Sequence, residues 1–192
     1  MPKQDRKNNF YIWLARIFDL GKVMILLAMV IYIVHLFFVS VFVVSGASME
    51  PSFYDREYLV VNKISLTLKQ PGRGEVVVFK FPGELKEKYI KRVIGLPGET
   101  VELKNQAVFI NGLKLTESYL PKEFVTEQLG TAKKWQLKDK EFFVMGDNRP
   151  NSNDSRVWGP LPQEDLIGKI SYVLFPFSEH GRVPSPKYLS TK

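Results

Sequence analysis

The chain has 192 residues, a formal net charge of +7, no cysteine and two histidines. The missing cysteines exclude disulfides, thiol nucleophiles and thiolate metal sites, and two histidines give no basis for a histidine metal cluster. The excess charge divides into +3 before residue 45 (five basic against two acidic residues) and +4 after it (22 against 18). That spread argues against a concentrated nucleic-acid patch and suits an anionic lipid surface.

The N-terminal 22 residues carry Lys3, Arg6, Lys7, Arg16 and Lys22 against Asp5 and Asp19, a flank that the positive-inside tendency places in the cytoplasm. Within it Phe10, Trp13, Leu14, Ile17 and Phe18 recur with helical spacing, so residues 10–20 read either as an interfacial helix or as an extension of a membrane anchor. Residues 23–44 contain no Asp, Glu, Lys or Arg. At about 1.5 Å per residue they match roughly 30 Å of hydrocarbon and are expected to form a single transmembrane helix. The run exceeds the apolar region of about 7–15 residues found in a cleaved secretory signal. His35 lies inside it and reads as a neutral imidazole bonded to a partner or a backbone carbonyl.

Residues 45–192 suit one extracytoplasmic domain with its own core. They read as mostly β: residues 57–62 (EYLVVN), 75–81 (EVVVFKF), 89–95 (YIKRVIG), 141–145 (EFFVM) and 169–175 (KISYVLF) are short β-branched or aromatic runs bounded by turn residues. Asn111-Gly112, between two apolar runs in 107–115, predicts a type I′ hairpin. Residues 71–74 and 96–99 predict further turns. The Lys-rich stretch 116–138 reads as an insertion loop or an irregular β excursion, and the tail from Pro176 as loosely ordered.

Three segments could carry chemistry. Residues 45–51 (SGASMEP) place Ser48 after the small Gly46 and Ala47, which let a substrate backbone approach; a serine here could equally cap a turn. A serine hydroxyl needs a neighbouring base. His180, the one histidine outside the apolar run, stands in the Pro-rich tail, which leaves a neutral lysine as the alternative. Bringing a lysine pKa from about 10.4 to near 7–8 costs roughly 3–4 kcal/mol, which burial can impose. Lys91 has such a setting: strand alternation groups Tyr89, Lys91 and Val93 on one face and Ile90, Arg92 and Ile94 on the other. The third segment, residues 146–156 (GDNRPNSNDSR), is a polar loop that by itself reads as self-satisfying turns and ion pairs. Its Asp and Asn oxygens do not have EF-hand spacing, and Arg149 and Arg156 oppose a cation, so no metal or other cofactor is expected.

Taken together, SGASMEP, YIKRVIGLPGE (89–99) and GDNRPNSNDSRVWGPL (146–161), in that order behind an apolar run, resemble the bacterial type I signal peptidases, membrane-anchored Ser/Lys endopeptidases that remove signal peptides from exported proteins. The resemblance implies a signal-peptidase-like β domain with Ser48 as nucleophile and Lys91 as general base. It implies Ser152 as the hydroxyl that holds the lysine amine, and ion pairs Asp147–Arg92 and Asp154–Arg156 as supports. It implies the Ser48 N–H as an oxyanion donor. It makes Gly46, Met49, Tyr89 and Ile90 substrate-binding residues, with Met49 at the membrane-facing rim and Tyr89 and Ile90 along the cleft. The implied partners are the lipid bilayer and signal peptides cut after Ala-X-Ala-like sequences, bound as an added strand. Two positions depart from the family pattern: Gly46, where some members supply a second oxyanion hydroxyl, and Pro150, where an acidic residue is common. A self-cleaving repressor-type protease shares the dyad but lacks an anchor, and a non-enzymatic descendant would be expected to lack Ser48 or Lys91. A peptidase dedicated to one pilus, conjugation or surface protein would look the same. Oligomeric state is not readable from the sequence.

Overall fold

The apolar run divides between two kinds of structure. In the computed structural model, which describes residues 3–121, 123–131, 133–176 and 181–183, helix α1 spans Lys3–Phe37 and strand β1 spans Val39–Val43. The expected helix over 23–44 is therefore corrected at its C-terminal end. Pairing with strand β2 (Tyr58–Asn62) is the reason, and Phe38, Val39, Val41, Phe42, Val43 and Val44 are β-branched or aromatic residues that fit such a pleated surface. An uncharged run alone does not separate helix from strand. The helical part of the run, residues 23–37, rises only about 22 Å at 1.5 Å per residue. Among the described residues no helix is long and apolar enough to cross a membrane. Residues 10–20 lie in the same helix, α1. The chain divides into two compact units, one ending at Val39 and the next beginning at Ser40.

The second unit is mostly β. It continues through β2 (Tyr58–Asn62), α2 (Ile64–Leu68), β3 (Val76–Phe81), β4 (Glu84–Gly95), β5 (Thr100–Lys104), β6 (Ala107–Ile110), β7 (Leu113–Lys114) and β8 (Lys134–Gln136). It ends with β9 (Glu141–Met145), α3 (Ser155–Trp158), β10 (Leu161–Pro162), β11 (Leu166–Phe175) and β12 (Gly181–Arg182). One sheet runs β1-β2-β11-β3-β4-β9-β10 with β12 paired to β11, and a smaller one runs β7-β6-β5-β8. The five strands read from sequence are all present. Strand β5 is not among them; its buried Val101 and Leu103 alternate with Thr100, Glu102 and the exposed Lys104. Asn111 and Gly112 have φ of 51° and 83° and turn β6 into β7, as the hairpin pair predicts. Residues 116–133 form no strand among those described, and β8 closes the excursion on β5.

Alternation on β3 separates two cores. Val76 and Val78 join Val44, Met49, Phe53, Leu59, Val61, Ile170 and Val173 in one cluster. Val77 and Phe79 join Val93, Phe142, Val144 and Leu161 in another. A third cluster packs Ile94, Phe143 and Met145 with Val101, Leu103, Val108, Ile110 and Leu137 of the smaller sheet's region. Strand β4 lies between β3 and β9, with Lys91 opposite Val77 and Arg92 opposite both Val76 and Met145. Two charged residues are thus carried into the most buried part of the sheet.

The tail reading falls largely on residues 177–180 and 184–192, which include His180, Pro184 and Pro186 and lie outside the described residues, as does the side chain of His35. Val183, which follows β12, packs on the first cluster. Phe143 is fully buried with its ring 4.7 Å from that of Trp135. Phe143→Ala is expected to lower unfolding stability by about 3–5 kcal/mol, read from denaturant titration.

Candidate active site

Ser48 is presented by a turn fixed on both sides. Before it, the Gly46 N–H donates to Asp55 Oδ1 at 2.8 Å, and Gly46 takes φ +94°, a value that suits a residue without a side chain. After it, the Glu50 N–H donates to the Ala47 carbonyl at 3.2 Å, and Met49 and Phe53, each 1 % exposed, root the turn in the first core. The Ser48 hydroxyl does not cap this turn. It lies 2.7 Å from Lys91 Nζ, which also donates to the Ile90 carbonyl at 2.9 Å and sits 5.4 Å from the centre of the Tyr89 ring. Lys91 is 3 % exposed. Burial pushes its pKa down from 10.5 to about 8, against an upward pull from Asp154 and Asp147.

The loop after β9 supplies the frame. Arg92 Nε and Nη2 donate to the two oxygens of Asp147 at 2.8 and 2.5 Å, and Nη1 donates to the Gly74 carbonyl at 2.7 Å. Arg156 forms the same fork on Asp154, with both contacts at 2.8 Å, while Asp154 Oδ2 also accepts from the Gly146 N–H at 3.0 Å. All four side chains are buried. Pro150 lies in a single 3₁₀ turn over Arg149–Asn151. Ser152 is placed differently from the role expected of it. Its hydroxyl is buried and has no hydrogen-bond partner among the described residues, and the Lys91 amine is held by Ser48 and Ile90 instead. Gly146 is what lets these pieces close up, since a Cβ there would lie 2.2 Å from Ser152 Oγ and 2.4 Å from the Ser48 carbonyl oxygen.

Two groups of functional neighbours were not read from the sequence. Arg149, fully buried, donates to both oxygens of Glu117, to the Thr126 hydroxyl and to Tyr119 Oη. Burial opposes its charge, but the Glu117 carboxylate holds its pKa above the ordinary arginine value. The Tyr119 ring also covers the Arg92 guanidinium at 4.3 Å. The irregular stretch 116–126 is therefore fastened to the frame by side chains 23 to 32 positions away in sequence, a distance at which no local pattern signals the pairing. The second neighbour is Asn148, whose Nδ2 donates to the Ala47 carbonyl at 3.0 Å and whose backbone N–H donates to the Ser48 carbonyl at 3.1 Å.

A cavity of about 490 Å³ opens onto the dyad. Gly46, Met49, Tyr89 and Ile90 line it with Phe42, Val44, Val78, Glu87, Lys88 and Asn153. Met49 does not stand at a rim; it is a core residue that forms part of the cavity wall. The Ser48 backbone N–H donates no hydrogen bond among the described residues. The arrangement has the parts for acyl transfer: a hydroxyl beside a desolvated amine, a free backbone donor, and an apolar cleft. Arg92→Ala leaves the Asp147 carboxylate buried and uncompensated and is expected to cost about 3–5 kcal/mol of stability. Arg92→Ala/Asp147→Ala should cost less than the sum of the two single changes, as read in a denaturation double-mutant cycle.

Comparison with known proteins shows the family. A family model described as signal peptidase, peptidase S26, matches residues 17–175. A signal peptidase I of Bacillus amyloliquefaciens is 38% identical over 175 residues, covering 86% of this chain and 91% of that protein. Signal peptidase I T of Bacillus subtilis strain 168 is 35% identical over 182 residues, covering 91% and 90%. The crystal structure of a signal peptidase I from Enterococcus faecalis V583 is 34% identical with a TM-score of 0.47, covering 54% of this chain and 98% of that one. With most of its length matched to the family model and to relatives above 30% identity, the chain belongs to the signal peptidase family, peptidase S26.

Proposed function

We propose that the chain is a membrane-anchored serine endopeptidase that cuts signal peptides from exported preproteins after Ala-X-Ala-like sequences, with Ser48 as nucleophile and Lys91 as general base. The observation that carries this reading is the 2.7 Å approach of a buried Lys91 amine to the Ser48 hydroxyl. A neutral amine accepts the hydroxyl proton as Oγ attacks the scissile carbonyl carbon. The tetrahedral intermediate collapses to an acyl-enzyme as Lys91 passes the proton to the leaving amine. The amine then deprotonates the water that releases the acyl group. The Ser48 N–H supplies the oxyanion donor. Asp147–Arg92 and Asp154–Arg156 act as supports that hold the loop in place.

Substrate binding as an added strand is supported by the position of β1 at the edge of the large sheet and by its own residues Phe42 and Val43, which line the cavity. Gly46, Met49, Tyr89 and Ile90 would then bound shallow pockets that admit small side chains. The membrane reading rests on α1, where Val23, Met24, Ile25, Leu26, Leu27, Met29, Val30, Ile31, Tyr32 and Ile33 are all exposed. A helix apolar on every side requires a non-aqueous surrounding. With the basic N-terminal flank in the cytoplasm, the peptidase domain lies outside. Confinement of enzyme and signal peptide to one bilayer then raises their effective concentration.

Detergent-solubilised protein is expected to cleave a peptide carrying an apolar run followed by Ala-X-Ala after the second alanine, with products located by mass, and Ser48→Ala is expected to abolish it. Because only the neutral amine accepts a proton, kcat/KM should climb through about pH 8 and level off above it. A profile flat from pH 5 to 10 would remove Lys91 from the role of base. The resemblance gives Ser152 the task of steering the lysine amine, a contact that its hydroxyl, buried and without a partner among the described residues, would form only during turnover. Ser152→Ala should slow cleavage while leaving Tm unchanged or higher, because the change removes a buried hydroxyl that lacks a partner. Wild-type rates in that variant would end the assignment.

A further inference from the structure

We infer that Asn148 is a positioning residue for the oxyanion donor: one asparagine grips the peptide groups on both sides of Ser48 and thereby aims the Ser48 N–H into the cleft. This inference rests on the proposed role of Ser48 as nucleophile. A trans peptide unit is planar, so its C=O and N–H point in opposite directions. The unit joining Ala47 to Ser48 has its carbonyl held by Asn148 Nδ2 at 3.0 Å, and fixing that carbonyl fixes the opposite direction for the Ser48 N–H. The following unit has its carbonyl, Ser48 O, held by the Asn148 backbone N–H at 3.1 Å. Rotation about either bond flanking Ser48 therefore breaks a contact to Asn148.

Three observations give this grip weight. The Ser48 N–H has no partner among the described residues, which leaves it to serve a substrate oxygen. Gly46 has no hydroxyl, so no side-chain donor from that position shares the work. The grip also has little slack, because Gly146, two residues before Asn148, already packs against the Ser48 carbonyl at a distance that excludes a Cβ. The Ala47 carbonyl also accepts from the Glu50 N–H at 3.2 Å, so loss of the asparagine amide loosens the unit without freeing it. An effect of about 10–100-fold in kcat is expected, below the roughly 10²–10³ of losing an oxyanion donor outright.

The test compares wild type, Asn148→Ala and Asn148→Asp, with Ser48→Ala as control, on the Ala-X-Ala peptide. Asn148→Asp keeps the shape but turns a carboxylate oxygen toward the Ala47 carbonyl, so it should lose at least as much as Asn148→Ala. Each variant is also titrated with a peptide aldehyde of the same sequence and with the matching peptide alcohol. Ser48 Oγ adds to the aldehyde carbon, Lys91 takes the hydroxyl proton, and the former carbonyl oxygen becomes the oxyanion that the Ser48 N–H must meet. The alcohol occupies the cleft without that step. The expected result is a fall in kcat with KM little changed, a parallel loss of aldehyde affinity, and unchanged alcohol affinity and Tm. Wild-type kcat, an equal loss of aldehyde and alcohol affinity, or variants that no longer fold would each overturn the inference. Cleavage that survives in Ser48→Ala would instead overturn the nucleophile assignment on which it rests.

Discussion

An amine kept out of water governs the design of this domain. Lys91 sits in the middle of the large sheet, between β3 and β9, where a charged ammonium loses its hydration. The depressed pKa means that between about pH 8 and 10.5 the unfolded chain binds more protons than the folded one. Stability from this group therefore rises with pH across that window, and its cost is complete below about pH 8, on the order of 3 kcal/mol at 1.36 kcal/mol per unit. The surrounding structure offsets that cost without neutralising the site. Asp147 and Asp154 lie near enough to pull the amine back toward its charged form, yet each is occupied by its own arginine in a two-pronged bond. The arginines prevent the carboxylates from forming a direct ion pair with Lys91.

Charge is managed here in layers. Lys91 is nearest to the cleft, the two Asp–Arg forks form the frame behind it, and Arg149 with Glu117 ties the excursion 116–126 onto that frame. Each buried guanidinium has a carboxylate and at least one carbonyl or hydroxyl oxygen. That pairing is the condition under which a buried charge is tolerated. The geometry of the candidate site and the stability of the fold thus draw on the same set of bonds.

Much of this was legible in the chain. The strands could be read because apolar β-branched runs bounded by Gly, Pro and Asp have few alternatives, and Asn111-Gly112 specifies its turn chemically. Ser48, Lys91 and the 146–156 box were recognisable as motifs in a known order. The end of α1 was not legible: residues 38–44 are as uncharged as the helix before them, and only pairing with β2 decides that they extend as strand. Strand β5 was missed because Glu102 and Lys104 dilute a short alternating pattern. The Glu117–Arg149 and Asn148–Ala47 contacts were missed for a different reason. Polar partners 32 and 101 positions apart leave no periodic trace in sequence.

The separation of those contacts bears on when the protein acquires its activity. The Ser48 turn is made early in the chain, Lys91 lies in β4, and the box that fixes both follows β9, some hundred residues after Ser48. Contacts of such long range form late, because closing the intervening loops costs entropy before any bond rewards it. A growing chain that has emerged only as far as β4 holds serine and lysine in adjacent segments but lacks the arginine forks that keep the amine buried and the asparagine that grips the serine. Peptidase competence is therefore a property of the completed domain, and an unfinished copy has no means of cutting its neighbours.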